Sequence, residues 1–158
     1  SKRRSVLLVL ANGPLDWSVT AAVATTAVAH LSAYSVTKAA LLRFTETVAA
    51  EIRGSGVTIF SMEPGTVRTA MAQDVLDSPE GRRWVPWFRA LFDQGLDVAP
   101  EQAADLLLAI ASGRVDAMTG RFMILTDSVD RIRANADTIL RQDLYTLKLR
   151  RLPDERSP

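Results

Sequence analysis

The sequence predicts an α/β fold in which a short, mostly parallel sheet is flanked by helices. Three observations predict it. Residues 5–11 and 57–62 are apolar, β-rich runs, as expected of strands buried between layers. Residues 34–53 and 100–112 place apolar side chains three and four apart, the period of a helix with one buried face. Strand, helix and strand follow one another along the chain, the order that builds parallel sheets.

At 158 residues the chain suffices for one domain with a sizeable core. Apolar residues are 47% and charged residues 23%, ordinary for a globular protein. The net charge is +1 and the basic residues are scattered, which argues against a nucleic-acid partner. With no cysteine there is no disulfide framework and no thiolate chemistry. His30 is the single histidine, so a transition-metal site is not expected. Lys2-Arg3-Arg4 and the apolar run behind it superficially look like a secretion signal. The run is short and ends at Asn12-Gly13-Pro14, which speaks against that. No stretch approaches the ~18 apolar residues of a membrane span. The expected setting is the cytoplasm.

Residues 5–11 read as a buried parallel strand, punctuated by Asn12-Gly13-Pro14. Residues 19–31 show no period that decides between helix and loop. Residues 34–53 form the clearest helix. Ala40, Phe44, Val48 and Ile52 step by four along one face, with Leu41 and Ala49 beside them, and this face is expected in the core. Gly54 stands where a helix stop belongs. The strand at 57–62 is closed by Pro64-Gly65. Residues 71–97 read as helical and irregular, and are dense in aromatics: Trp84, Trp87, Phe88 and Phe92. The helix at 100–112 starts on Pro100 and buries Leu106, Leu107 and Ile110. A short strand follows at 121–126. Asp127 or Ser128 caps a last helical stretch carrying Val129, Ile132, Ala136 and Ile139. From residue 150 the polar tail is expected to be disordered. No internal repeat and no second domain are expected.

One pair carries chemistry. Tyr34 and Lys38 are four apart at the start of a helix, so they lie on one face with Cβ atoms about 5–6 Å apart. At ~4 Å and an effective dielectric of ~20, a phenolate and an ammonium attract by roughly 4 kcal/mol. That is enough to bring a tyrosine from ~10 towards ~7, where it can give or take a proton at neutral pH. The spacing alone also occurs in ordinary amphipathic helices.

The surroundings add weight. Tyr34-x-x-x-Lys38 on a helix, then a strand, then Pro64-Gly65-x-Val67-x-Thr69 resembles the C-terminal half of a short-chain dehydrogenase/reductase. The resemblance covers about residues 32–150 and is looser before. It implies a partial Rossmann-like, doubly wound fold over residues 1–150, with 12–31 as an irregular entry loop. It implies hydride transfer between NAD or NADP and a small-molecule carbonyl or alcohol. Tyr34 would be the acid–base, and Lys38 would hold the nicotinamide ribose. Pro64, Gly65, Val67 and Thr69 would seat the cofactor, with the Val67 backbone at the carboxamide and Thr69 at the diphosphate. Without the tyrosine, Thr69 would read as a plain helix cap. Trp84, Trp87 and Phe88 would either line a substrate pocket or anchor a surface helix pair. The resemblance also implies pairing through the Tyr34 helix, hence a homo-oligomer.

The family pattern is not matched throughout. Its serine is expected thirteen residues before the tyrosine, at Ala21, which has no side-chain donor. Two registers are open. In the preferred one, residues 5–11 are the strand before the site and a long loop leads to Tyr34. In the other, a strand ends at Ala21. Thr20 and Ser18 fit the serine's place in neither. A glycine-rich turn, a ribose selector and a relay asparagine are not found, so the chain reads as the second half of the fold, with one strand edge left unpaired. A non-catalytic remnant, serving as an interaction or dimerisation module, is therefore the alternative function.

Overall fold

The sheet is built around β2 (Val57–Glu63). A computed structural model describes the backbone of residues 5–10 and 20–149, and the side chains from residue 23 to 149. β2 lies between β1 (Ser5–Leu10) and β3 (Phe122–Ile124), parallel to both. Ser5 pairs with Val57 and Leu10 with Met62, and on the other side Ser61 pairs with Phe122 and Glu63 with Ile124. With helices on its faces, this is the α/β, partial Rossmann-like arrangement that the sequence predicts. β3 is shorter than the expected 121–126. Asp127 accepts a hydrogen bond from Ile124 N at 3.0 Å, which turns the chain. Arg121 is drawn away to Asp143 and the Leu144 carbonyl.

The helices are α1 (Thr20–Thr25), α2 (Ser32–Glu51), α3 (Ala70–Asp77), α4 (Pro79–Trp84), α5 (Pro86–Asp93), α6 (Pro100–Ala111), α7 (Val129–Ala134) and α8 (Ala136–Arg141). None of the described helices is long and apolar enough to cross a membrane. Ala21 lies in α1, so the register that ends a strand there is wrong, and β1 is the strand preceding the Tyr34 loop. Ser18 and the 150–158 tail fall outside the described residues. Ser128, not Asp127, caps α7, accepting from Arg131 N at 3.3 Å. The expected single helix there is interrupted at Asn135, whose amide finds three carbonyls.

The buried face of α2 differs from the expected one. Ala40 and Phe44 point outward, Phe44 with 53% of its surface exposed, and Val48 and Ile52 are half-buried. The buried residues are Lys38, Leu42 and Thr45. Alternation along β2 gives the reason. Phe60 and Met62 join the cluster of Leu106, Ile110, Met118 and Ile132 on one face. Ile59, Ser61 and Glu63 must therefore face the other side, where α2 packs on β2. Two of the three buried α2 residues are polar, so a count of apolar residues picks the wrong stripe. Beneath α2, Gly120 has φ +83, and a Cβ there would sit 2.7 Å from that of Ala49. Glycine lets the turn before β3 slide under the helix.

Residues 143–148 fasten the far half of α2 and the edge of β3. Phe122 N donates to the Tyr145 carbonyl at 3.0 Å. Leu147 N donates to Glu46 at 2.6 Å, and Arg43 donates to the Leu147 carbonyl. Hydrogen bonds from Lys148 and then Arg121 hold the Asp143 carboxyl below its ordinary 3.8. A carboxylate lowered in the fold stabilises it fully above that ordinary value, and the contribution is lost as pH falls below 3.8 towards the native pKa. Asp143→Asn is expected to lower Tm between pH 6 and 8 and to flatten the acid limb of a plot of Tm against pH, so that variant and native protein converge in acid. An unchanged acid limb in the variant would refute this.

Candidate active site

Connectivity sets which end of the sheet holds the site. Residues 52–56 turn α2 directly into β2, so the end of α2 lies by the start of that strand. α2 runs back along β2, and its first turns lie beyond the carboxyl ends of the parallel strands. Open α/β sheets bind ligands at that end. Tyr34 sits in the first turn of α2 and Lys38 one turn on. Lys38 is 6% exposed, and its Nζ stands 5.1 Å from the centroid of the Tyr34 ring. Buried ammonium groups are costly unless partnered, and Lys38 does have further interactions. Thr37 ties the turn by donating to the Tyr34 carbonyl at 2.7 Å. Ser35 Oγ is buried without a hydrogen bond.

Leu31 caps α2 without a side-chain hydrogen bond and anchors it by burial instead. It shares a cluster with Val23, Ala72, Leu76, Val85, Phe88 and Phe92, and the Tyr34 ring packs against that cluster. α3 to α5 thus form a lid whose inner side meets the tyrosine. Phe88 is 1% exposed, and its ring meets Phe92 edge-on with centroids 5.2 Å apart. Trp87 stands 6.0 Å from Phe88 and is half-buried. Trp84 is 44% exposed, and its ring lies tilted against that of His30 with centroids 4.8 Å apart. Of the two readings for these aromatics, Phe88 takes the anchoring one.

The Pro64–Thr69 loop follows β2 at the same end. Gly65 has φ +78, and a Cβ there would meet Val98 and Leu125 within 2.9 Å. Val67 bridges to Val98, and Val98 N donates to the Thr66 carbonyl at 2.7 Å. Arg68 pins the loop from outside, 3.4 Å from Asp97 and over the Phe92 ring. Thr69 caps α3, accepting from Ala72 N at 3.2 Å. Its hydroxyl hydrogen remains able to donate. Ala72 belongs to the cluster that holds Tyr34. The structure therefore brings Tyr34 and Lys38 together and sets the loop's far end against the tyrosine's own packing.

Sequence reading missed Glu63. It is 9% exposed at the last position of β2, and its signal was a lone charge closing an apolar strand. It also missed Arg68, whose role depends on Asp97 and Phe92, far along the chain.

Comparisons with known proteins identify the family. A family model described as Enoyl-(Acyl carrier protein) reductase matches residues 14–127. The short chain dehydrogenase pigC of Monascus ruber is 30% identical over 118 residues, covering 75% of this chain and 36% of that protein. The 2-(R)-hydroxypropyl-CoM dehydrogenase of Xanthobacter autotrophicus is 32% identical over 94 residues, covering 60% of this chain and 36% of that protein. The short chain dehydrogenase andI of Emericella variicolor is 29% identical over 123 residues, covering 78% and 38%. The chain belongs to the short-chain dehydrogenase/reductase family. It spans little more than a third of the length of these relatives.

Proposed function

We propose that the protein is an oxidoreductase that interconverts a carbonyl and an alcohol, with NAD or NADP as the hydride carrier. The observation that carries this is the buried Lys38 ammonium held 5.1 Å from the Tyr34 ring centroid. The residues present suit the nicotinamide half of a dinucleotide. Lys38 offers ammonium donors to a ribose, Thr69 keeps a hydroxyl hydrogen for a phosphate oxygen, and Pro64, Gly65 and Val67 form a pinned backbone wall. When bound, the dinucleotide would provide the hydride chemistry. Tyr34 gives its hydroxyl proton to the carbonyl oxygen in reduction and takes it from the alcohol in oxidation. Lys38 stabilises the charge left on the phenol oxygen and fixes the ribose beside it. Ala21, at the position where the family resemblance expects a serine, has no hydroxyl to orient the substrate oxygen. The non-catalytic alternative gains no support from the matches.

The direct test is titration with NAD(H) and NADP(H), followed by tryptophan fluorescence. Saturable binding that weakens at least about tenfold in Lys38→Ala is the expected result, since a charge-assisted hydrogen bond is worth about 1.5–3 kcal/mol. A native protein that binds neither dinucleotide at millimolar concentration would sink the reading.

The same reading includes residues 1–150 as one domain, action in the cytoplasm, and self-association. The cytoplasmic placement rests on composition alone. Self-association is supported by the outward stripe of Val36, Ala40 and Phe44 on α2, with Val36 69% exposed. Phe44→Asp is expected to shift the protein to monomer in analytical ultracentrifugation. A native protein already monomeric at working concentration would remove this part of the proposal.

A further inference from the structure

The lid holds a cavity that the proposed chemistry does not use. It lies among α3, α4 and α5 and encloses about 130 Å³. Val75, Leu76, Val85 and Phe88 form an apolar floor, and Arg82 and Arg89 stand at its wall. Neither Tyr34 nor Lys38 lines it. Phe88 is its boundary with the reaction centre, because the same ring belongs to the cluster against which Tyr34 packs.

Two features restrict what fits. The first is charge. The lining residues include two arginines and no acidic residue. Arg82 donates to the Asp77 carbonyl and Arg89 to the Leu76 carbonyl, each at 2.5 Å, at the end of α3. A guanidinium has five N–H donors in a flat fork. The helix end thus fixes both groups in place and leaves further donors for an anion. Two like charges beside one opening also favour a negative guest. The second feature is size. An apolar cavity of about 150 Å³ accepts benzene, so this one suits a single ring or a short branched chain.

We infer that this cavity is a binding site for a small aryl carboxylate, about the size of benzoate. The ring occupies the floor formed by Leu76, Val85 and Phe88, and the carboxylate meets Arg82 and Arg89. The inference does not depend on the redox reading, because the site shares no residue with Tyr34, Lys38 or the Pro64–Thr69 loop.

The test is a titration of the ¹⁵N-labelled native protein with benzoate and, separately, with benzamide, which matches it in shape without the charge. Benzoate is expected to shift amides within residues 75–89 saturably, and benzamide to bind at least about tenfold more weakly. In Arg82→Gln/Arg89→Gln the two probes are expected to bind alike. If that variant fails to fold, the comparison of probes on native protein still decides. Equal affinity of the native protein for both probes overturns the inference, as does the absence of saturable shifts. Shifts centred on residues 34–38 also overturn it, because they would place the guest in the reaction centre.

Discussion

Tyr34→Phe is expected to lower kcat by about 10²–10⁴-fold, the usual worth of a positioned acid–base group, on any carbonyl or alcohol that the native protein turns over. Dinucleotide affinity is expected to change little. The ring's packing against the Leu31–Phe88 cluster survives the substitution, so the fold and the lid stay in place. Only the hydroxyl is lost, and with it the proton that must reach the substrate oxygen as hydride reaches the carbon. Lys38→Ala should behave differently and weaken binding as well, because the ammonium is proposed to hold the ribose. A Tyr34→Phe variant with native kcat would remove the tyrosine from the chemistry, whatever the family resemblance.

Phe88→Ala is expected to destabilise the protein by about 3–5 kcal/mol, the range for removing a large buried ring. Phe88 is 1% exposed and loses edge-on ring contacts with Phe92 and Trp87. The damage should also reach function. The vacated space adjoins Leu31, which anchors the start of α2, and the cluster on which Tyr34 leans. Denaturant unfolding measures the first effect and steady-state kinetics the second. A loss below about 1 kcal/mol would mean that the lid is not packed as described.

Much of the layout is legible in the sequence because local patterns carry it. The apolar runs mark β1 and β2, Pro100 opens α6, and Tyr34 and Lys38 come together simply because a helix returns every 3.6 residues. The illegible parts depend on distant partners. Phe44 has the spacing of a core residue, yet it faces out, since the side of α2 turned to β2 is chosen by Ile59, Ser61 and Glu63. Lys38 and Thr45 are buried there although hydropathy would expose both. β3 is shortened by Asp127 and by Arg121 reaching Asp143, and the sequence near 121–126 contains no sign of this. The lid's three short helices show no long period, so only the aromatics reveal that the region packs.

The mooring of α2 has a further consequence for how the chain acquires its shape. The helix that presents Tyr34 is fastened at its other end through Arg43 and Glu46, to a segment 104 and 101 positions further on. Contacts of such long sequence separation form late and slowly. On a ribosome the tyrosine's helix emerges long before its anchor does. Through that interval Val36 and Phe44 face water on a helix that still lacks its Arg43 and Glu46 mooring, a period in which a nascent chain would benefit from a chaperone's shelter.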